Sequence, residues 1–286
     1  MSSAIETVQN LQGTIKLHDG TEIPQIGLGV YEMSNEEAEQ AVYWALEAGY
    51  RHVDSAEWYG NEAACGRGIQ KFLKARPDIS PEDIYYTTKL QTNRSYDQTL
   101  KKIQQSLKDS RVDQISLYLL HSPIGGPKVR RACWEACIEA KRQGWVKSIG
   151  VSNFGTKHIE EFEQWGLEKP VLNQVDLHPW MRRQPIVDVC RKYGIVLEAW
   201  APLARGMRFN HPVLNEVAKA HDKSPAQILL RWSIQHGFVP IPKSVSQKRI
   251  QSNGDLFTFE LSQEEMAKLD ELDEYLITDW DVVDVA

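Results

Sequence analysis

"RHVDS", residues 51–55, runs within a few residues into "NEAACGRGIQKFLKA", residues 61–75. The first stretch is a short run of strand-forming character, and the second carries apolar residues at helical spacing. A strand followed closely by a helix is half of a crossover, and the pattern recurs on both sides. Downstream, "DIYYTTK" (83–89) leads to "YDQTLKKIQQSLKDS" (96–110), and "ISLYLLH" (115–121) to "RRACWEACIEAKRQG" (130–144). "KSIGVSN" (147–153) leads to "TKHIEEFEQWG" (156–166), and "VLNQVDL" (171–177) to "QPIVDVCRKYG" (184–194). "GIVLEAW" (194–200) precedes helical "VLNEVAKAHDK" (213–223) and "SPAQILLRWSIQHG" (224–237). A short last strand, "GFVPIPK" (237–243), leads into helix-prone "SQKRIQSN" (246–253) and "SQEEMAKLDELDE" (262–274). Upstream, "QIGLG" (25–29) is followed by Ser34, a helix cap, and by "NEEAEQAVYWALEAG" (35–49), with acids in its first turn and Gly49 at its end. Before that, "TIKLHDGTEIP" (14–24) reads as two brief strands turning at His18-Asp19-Gly20.

Alternating strands and helices imply a parallel sheet. About eight such units in 286 residues favour an α/β fold of the closed (β/α)8 TIM-barrel type over an open doubly wound sheet. The first strand-to-helix turn, "GLGVY", lacks the GxGxxG fingerprint of a dinucleotide-binding open sheet. No Pro/Gly/Ser-rich linker divides the chain, so residues 1–286 are expected to form a single domain.

A net charge of −6, with no block of Lys and Arg, argues against nucleic acid or an anionic membrane as partner. "MSSAIETVQN" has neither the basic nor the apolar region of a secretory leader, and no apolar run reaches the length of a membrane span. Of the four cysteines, only Cys133 and Cys137 are close, and "CWEAC" has helical i,i+4 spacing rather than a redox or zinc spacing. Reduced, buried thiols in a cytoplasmic protein are the expectation. The chain is expected to act as a monomer on a small molecule.

In barrels of this kind the working residues sit at the C-terminal ends of strands, where the loops to the helices begin. That rule selects Asp54 and, in its loop, Tyr59; Lys89 in "YYTTKL"; and His121 in "LYLLHSP". A lone strand-end Lys or His is usually a solvated or hydrogen-bonded structural residue. Four ionisable groups on three consecutive strands, facing one mouth, are a less ordinary coincidence.

Three longer stretches carry a resemblance. "GYRHVDSAEWYGNEAACG" (49–66), "GWVKSIGVSNF" (144–154) and "IPKSVSQKRIQSN" (241–253) are similar, in order, to the three signatures of the aldo-keto reductase superfamily. The resemblance covers nearly the whole chain and implies a (β/α)8 barrel whose N-terminal hairpin closes the bottom. It implies that Asp54, Tyr59, Lys89 and His121 form a catalytic tetrad, and that NADPH supplies a hydride to an aldehyde or ketone. The chemistry is consistent with that. Carbonyl reduction needs a proton donor as well, and a free tyrosine near pKa 10 is a weak acid that a neighbouring ammonium would strengthen. Lys89 is expected to do so for Tyr59, with Asp54 holding Lys89 and a neutral His121 donating to the carbonyl oxygen.

The same resemblance assigns the nicotinamide carboxamide to Ser152, Asn153 and Gln174, and ring stacking to Trp200, where relatives often carry tyrosine. Ala201 replaces a serine found in relatives. Leu203 is assigned to the cofactor site, and Lys243, Ser244, Val245, Arg249 and Asn253 to its adenosine end. Lys243 and Arg249 would favour a 2′-phosphate, hence NADPH over NADH. Ser252 stands where an acidic residue often contacts the adenine. Tyr31, Trp58, His121 and Trp180 are the candidates for the substrate pocket. Ser122 replaces a common tryptophan. The segments after Lys89 and after "LDEYL" are short, which suggests an open site of broad scope, similar to microbial reductases of dicarbonyls, keto esters and simple aldehydes.

Three other readings stay open on the sequence. One is a cofactor-binding regulatory subunit on the same fold with little turnover, as potassium-channel β subunits resemble this family. Another is a metal-dependent barrel hydrolase, for which no HxH or clustered carboxylates are present at strand ends. The third is a dehydrogenase working mainly in the oxidising direction.

Overall fold

The computed structural model describes residues 10–286; residues 1–9, most of the stretch read for a secretory leader, lie outside the described residues. A hairpin comes first: β1 (Thr14–Lys16) pairs antiparallel with β2 (Glu22–Pro24), with Gly20 at φ +88° in the turn. Eight parallel strands then follow one another in sequence order around one sheet. They are β3 (Leu28–Gly29), β4 (His52–Asp54), β5 (Tyr85–Leu90), β6 (Ile115–Leu120), β7 (Val146–Ser152), β8 (Leu172–Asp176), β9 (Val196–Trp200) and β10 (Val239–Pro240).

The ends of that sheet meet. Gly29 bridges to Lys243 in parallel, and the amides of Gly27 and Gly29 donate to the carbonyls of Pro240 and Pro242 at 3.1 and 3.3 Å. A Cβ at Gly29 would lie 2.8 Å from the Ile241 carbonyl oxygen, so only glycine lets the two segments approach this closely. Proline accepts but cannot donate in a ladder, which explains why the expected strand "GFVPIPK" shortens to Val239–Pro240.

Helices wrap this barrel between the strands: α1 (Asn35–Glu47), α2 (Glu62–Ala75), α3 (Tyr96–Ser110), α4 (Pro127–Arg142), α5 (Thr156–Trp165), α6 (Gln184–Lys192), α7 (Pro212–Ala220), α8 (Pro225–Gln235), α9 (Gln247–Gly254) and α10 (Gln263–Asp270). Ser34 caps α1 as the sequence suggests, its hydroxyl accepting from the Glu37 amide while Glu37 accepts from the Ser34 amide. The buried apolar faces of these helices and the outward faces of the strands form one core. Cys65, Cys133, Cys137 and Cys190 are all free and buried, as expected for i,i+4 helical and scattered thiols.

The hairpin covers the N-terminal ends of the strands. Leu17 and Ile23 pack with Leu117, Leu119, Leu172 and Val239, the apolar residues lining the bottom of the barrel. Asp19 fastens it there, accepting from the Ser148 hydroxyl at 2.8 Å, and His18 Nε2 lies 3.0 Å from the Pro170 carbonyl. The other end of the barrel is left for chemistry. Among the described residues, no helix is long and apolar enough to cross a membrane.

Candidate active site

Above the C-terminal strand ends lies a cleft of about 710 Å³. Its floor is built by β4, β5 and β6. In a strand, alternate side chains share a face, and register places neighbours from adjacent strands at one level. Asp54 ends β4 in register with Thr87 of β5, two residues before Lys89, so Lys89 can lean across beneath the cleft. Its ammonium lies 2.6 Å from Asp54 Oδ1, 2.9 Å from the Ser55 carbonyl and 3.4 Å from Tyr59 Oη. Both charges are sealed off, Lys89 fully buried and Asp54 nearly so.

Tyr59 reaches the site from a short 3-10 turn, Glu57–Tyr59, which Gly60 ends at φ +65°. Asn61 holds that turn in place, accepting from Ser55 Oγ at 2.9 Å and donating to the carbonyls of Val30 and Met33 at 3.0 and 3.3 Å. Glu57 adds a second tie by accepting from the Gln91 amide. The loop is therefore tied to its neighbours by protein groups on both sides.

Burial pushes the Tyr59 phenol up to about 12, while the Lys89 ammonium pulls the other way. The expected strengthening of Tyr59 as an acid is thus present but outweighed, because a desolvated phenolate costs more than one ammonium at 3.4 Å returns. Burial also opposes the Lys89 ammonium, yet Asp54 beside it holds its pKa above the usual lysine value. Burial, with Lys89 adding to it, takes His121 well below the usual imidazole range, so His121 is neutral. Its ring stands edge-on to Tyr59 and Trp58, with centroids 5.8 and 5.9 Å away.

The far wall is made by β7, β8 and β9. Asn153, at φ +61°, donates from Nδ2 to the His121 carbonyl and to Ser152 Oγ, and its Oδ1 accepts from the Trp200 indole at 2.9 Å. Trp200 is thus pinned by its edge with a ring face available to the cleft, something a phenol would do with different geometry. Ser152 Oγ donates to the Gln174 carbonyl. Leu203, Lys243, Ser244, Arg249 and Asn253 line the remaining length, Lys243 and Arg249 being exposed cations at that end. Arg249 Nε donates to Ser244 Oγ at 3.3 Å.

The structure therefore brings together Asp54, Tyr59, Lys89 and His121, and ranges Tyr31, Trp58, Ser152, Asn153, Gln174 and Trp200 around them. Two residues fall elsewhere. Trp180, expected on the substrate wall, is 1 % exposed and packs on His178 and His211, its carbonyl accepting from the amides of Leu276 and Glu274. Four residues beyond the end of β8 and fastened to the tail, it belongs to the core. Val245 is likewise half-buried against the core rather than on the cleft.

Several cleft residues escaped sequence reasoning. Trp280, from the tail, stands 5.8 Å from Trp58 and 6.3 Å from His121 between ring centroids. Asp279 beside it accepts from Arg205 at 3.1 Å, and Arg205 also donates to Glu32 at 2.9 Å, so one guanidinium ties three segments across the rim. The tail is held by Thr278 on Asp176, by Arg183 on Asp281 and by Val283 crossing over Gly155, where a Cβ would meet the Val283 carbonyl at 2.0 Å. Shortness of the tail suggested an open mouth; instead the few residues present reach the cleft. The only sequence signal was the glycine at position 155. The loop after β9 is also strained, with Ala201, Ala204 and Arg205 all at φ near +48°, a conformation costing about 1–2 kcal/mol per non-glycine residue and concentrated at functional sites.

Among the described residues, no group of three or more His, Cys, Asp or Glu is placed to hold a metal ion. The cleft instead offers a flat indole, amide groups, a buried ion pair and a cationic end. That donor set fits a dinucleotide with an aromatic amide at one end and phosphate at the other.

Comparison with known proteins agrees. The model of the aldo/keto reductase family matches residues 13–274. An uncharacterised oxidoreductase of Saccharomyces cerevisiae is 44% identical over 274 residues, spanning 94% of this chain and 97% of that one. A glyoxal reductase of Bacillus subtilis is 41% identical over 265 residues, spanning 92% and 94%. The crystal structure of a Bombyx mori aldo-keto reductase in complex with NADP superposes with a TM-score of 0.88 at 34% identity, over 96% of this chain and 99% of that one. The chain belongs to the aldo/keto reductase family, a (β/α)8 barrel oxidoreductase.

Proposed function

We propose that this protein is an NADPH-dependent reductase of aldehydes and ketones, with small dicarbonyls and keto esters within its scope. The observation that carries the reading is the run of contacts Asp54–Lys89–Tyr59 under the cleft, with neutral His121 alongside. The Bacillus glyoxal reductase and the Bombyx NADP complex support the substrate class and the cofactor.

Bound NADPH would supply the hydride at the Trp200 side of the cleft. The protein's residues do the rest. Trp58, Tyr31 and Trp280 form the apolar walls that exclude water from a bound carbonyl. His121, neutral, donates to the carbonyl oxygen and orients it. Tyr59 stays a phenol at neutral pH and so always has a proton to give. An alkoxide oxygen, comparable to water near pKa 15.7, is basic enough to take that proton from a phenol at about 12. Lys89 then steadies the phenolate left behind, and Asp54 holds Lys89 in range.

The test is NADPH consumption, followed by absorbance, against small aldehydes, α-keto esters, dicarbonyls and sugars. Turnover with several of them supports the reading. Tight NADPH binding without turnover on any would favour a cofactor-binding subunit instead.

A further inference from the structure

The barrel interior beneath the tetrad holds one more carboxyl. Glu198, the third residue of β9, is fully buried and shares a strand face with Trp200 one level above it. A carboxyl in a dry core is costly unless it is bonded. Its partner is Gln174 of β8, directly opposite in register. Gln174 Nε2 lies 2.7 Å from Glu198 Oε2 and 2.9 Å from Asp54 Oδ2. An amide nitrogen carries two hydrogens, and here both are directed at carboxyl oxygens. Two such acceptors also decide which end of the amide is nitrogen. The end left for the cleft, which Gln174 lines, is the oxygen.

We propose that Glu198 is a positioning residue for the cofactor: with Asp54 it holds both N–H groups of Gln174, so that Gln174 presents only its carbonyl oxygen and selects a nicotinamide carboxamide through its N–H. The proposal rests on the reading of this cleft as an NADPH site. A free glutamine side chain offers oxygen or nitrogen equally, whereas a clamped one is an acceptor only. Glu198 touches neither substrate nor cofactor and acts through Gln174.

The other titratable groups facing Glu198 are His52 and Asp54 of β4 and Lys89 and Tyr85 of β5. Burial, with Asp54 adding to it, pushes the Glu198 carboxyl up to about 8. His52 is held down to about 3 by burial and is neutral. Glu198 Oε1 lacks a partner, so a proton can reside there while Oε2 still accepts from Gln174. The clamp survives in either protonation state.

The experiment compares NADPH with its 3-acetylpyridine analogue, which carries a methyl ketone in place of the carboxamide and has no N–H to give. Binding is read from tryptophan fluorescence quenching. The wild-type protein is expected to bind NADPH about tenfold more tightly than the analogue, the worth of one buried hydrogen bond. Glu198→Met removes the acceptor at similar volume and is expected to bring the two affinities within about twofold. Glu198→Gln keeps an acceptor oxygen and should preserve the wild-type ratio. A Glu198→Met protein that binds both ligands more weakly but keeps their ratio overturns the proposal, because a merely structural role weakens both alike. A wild-type protein that binds neither dinucleotide refutes the NADPH reading itself. Should Glu198→Met not fold, the crystal structure of the wild-type NADPH complex decides. Gln174 still bonded through nitrogen to Glu198 and Asp54 supports the clamp, and an amide turned with its nitrogen toward the carboxamide overturns it.

Discussion

Lys89 Nζ stands 2.6 Å from Asp54 Oδ1, and neither side chain has meaningful access to water. A buried pair of this kind matters most when half of it is removed, since the survivor is a charge with no partner. Lys89→Met is therefore expected to cost about 3–5 kcal/mol of stability, measured by urea unfolding. Asp54→Asn combined with Lys89→Met should recover most of that loss without recovering turnover. A double variant no more stable than the single one would show that the pair is not the source of the cost.

On the proposed mechanism, Tyr59→Phe removes the proton donor while leaving the cleft's shape. Its kcat for carbonyl reduction should fall by about 10²- to 10⁴-fold, with NADPH affinity nearly unchanged. The pH dependence follows from the same group. Reduction needs the phenol, which persists up to about 12, and needs His121 neutral, which its lowered pKa ensures. The kcat/KM for reduction should be level from about pH 6 to 9. A fall with a midpoint near neutrality would mean that Lys89 outweighs burial after all.

Glu198 predicts a different pH effect, on stability. Its folded pKa near 8 compares with about 4.3 in an unfolded chain. Between those values the native state binds more protons than the unfolded one, so stability falls as pH rises through the window. The favourable contribution is complete below the lower value and gone above the upper one. Glu198→Gln should abolish this slope, so its stability relative to wild type should increase from pH 5 to pH 9 in urea unfolding. A constant difference across that range would contradict it.

Arg249→Ala tests the cationic end of the cleft. If its guanidinium binds a 2′-phosphate, the KM for NADPH should rise about tenfold or more, and that for NADH much less. Equal changes for both cofactors would remove Arg249 from phosphate recognition.

Strand-to-helix alternation made the barrel legible, because the period of each element is written in its apolar residues. Asp54, Tyr59, Lys89 and His121 were legible too, each lying at or just beyond a strand end. What could not be read were contacts made by segments without periodicity. Trp280 reaches His121 only because Asp176 and Arg183 anchor the tail, and Arg205 meets Glu32 across 173 positions of sequence. Trp180 misled for the converse reason: an aromatic just past a strand end looks like a pocket wall until the tail covers it. The sign of the Tyr59 shift was also beyond sequence, since it depends on how much water the fold removes.

The hairpin that packs Leu17 and Ile23 into the lower end of the barrel makes the interior a blind tube. Glu198, Gln174, Asp54 and Lys89 then share one route to solvent, upward past Tyr59. Hydrogen isotope entering this polar shaft must come through the mouth of the cleft, and a molecule seated there would act as its stopper.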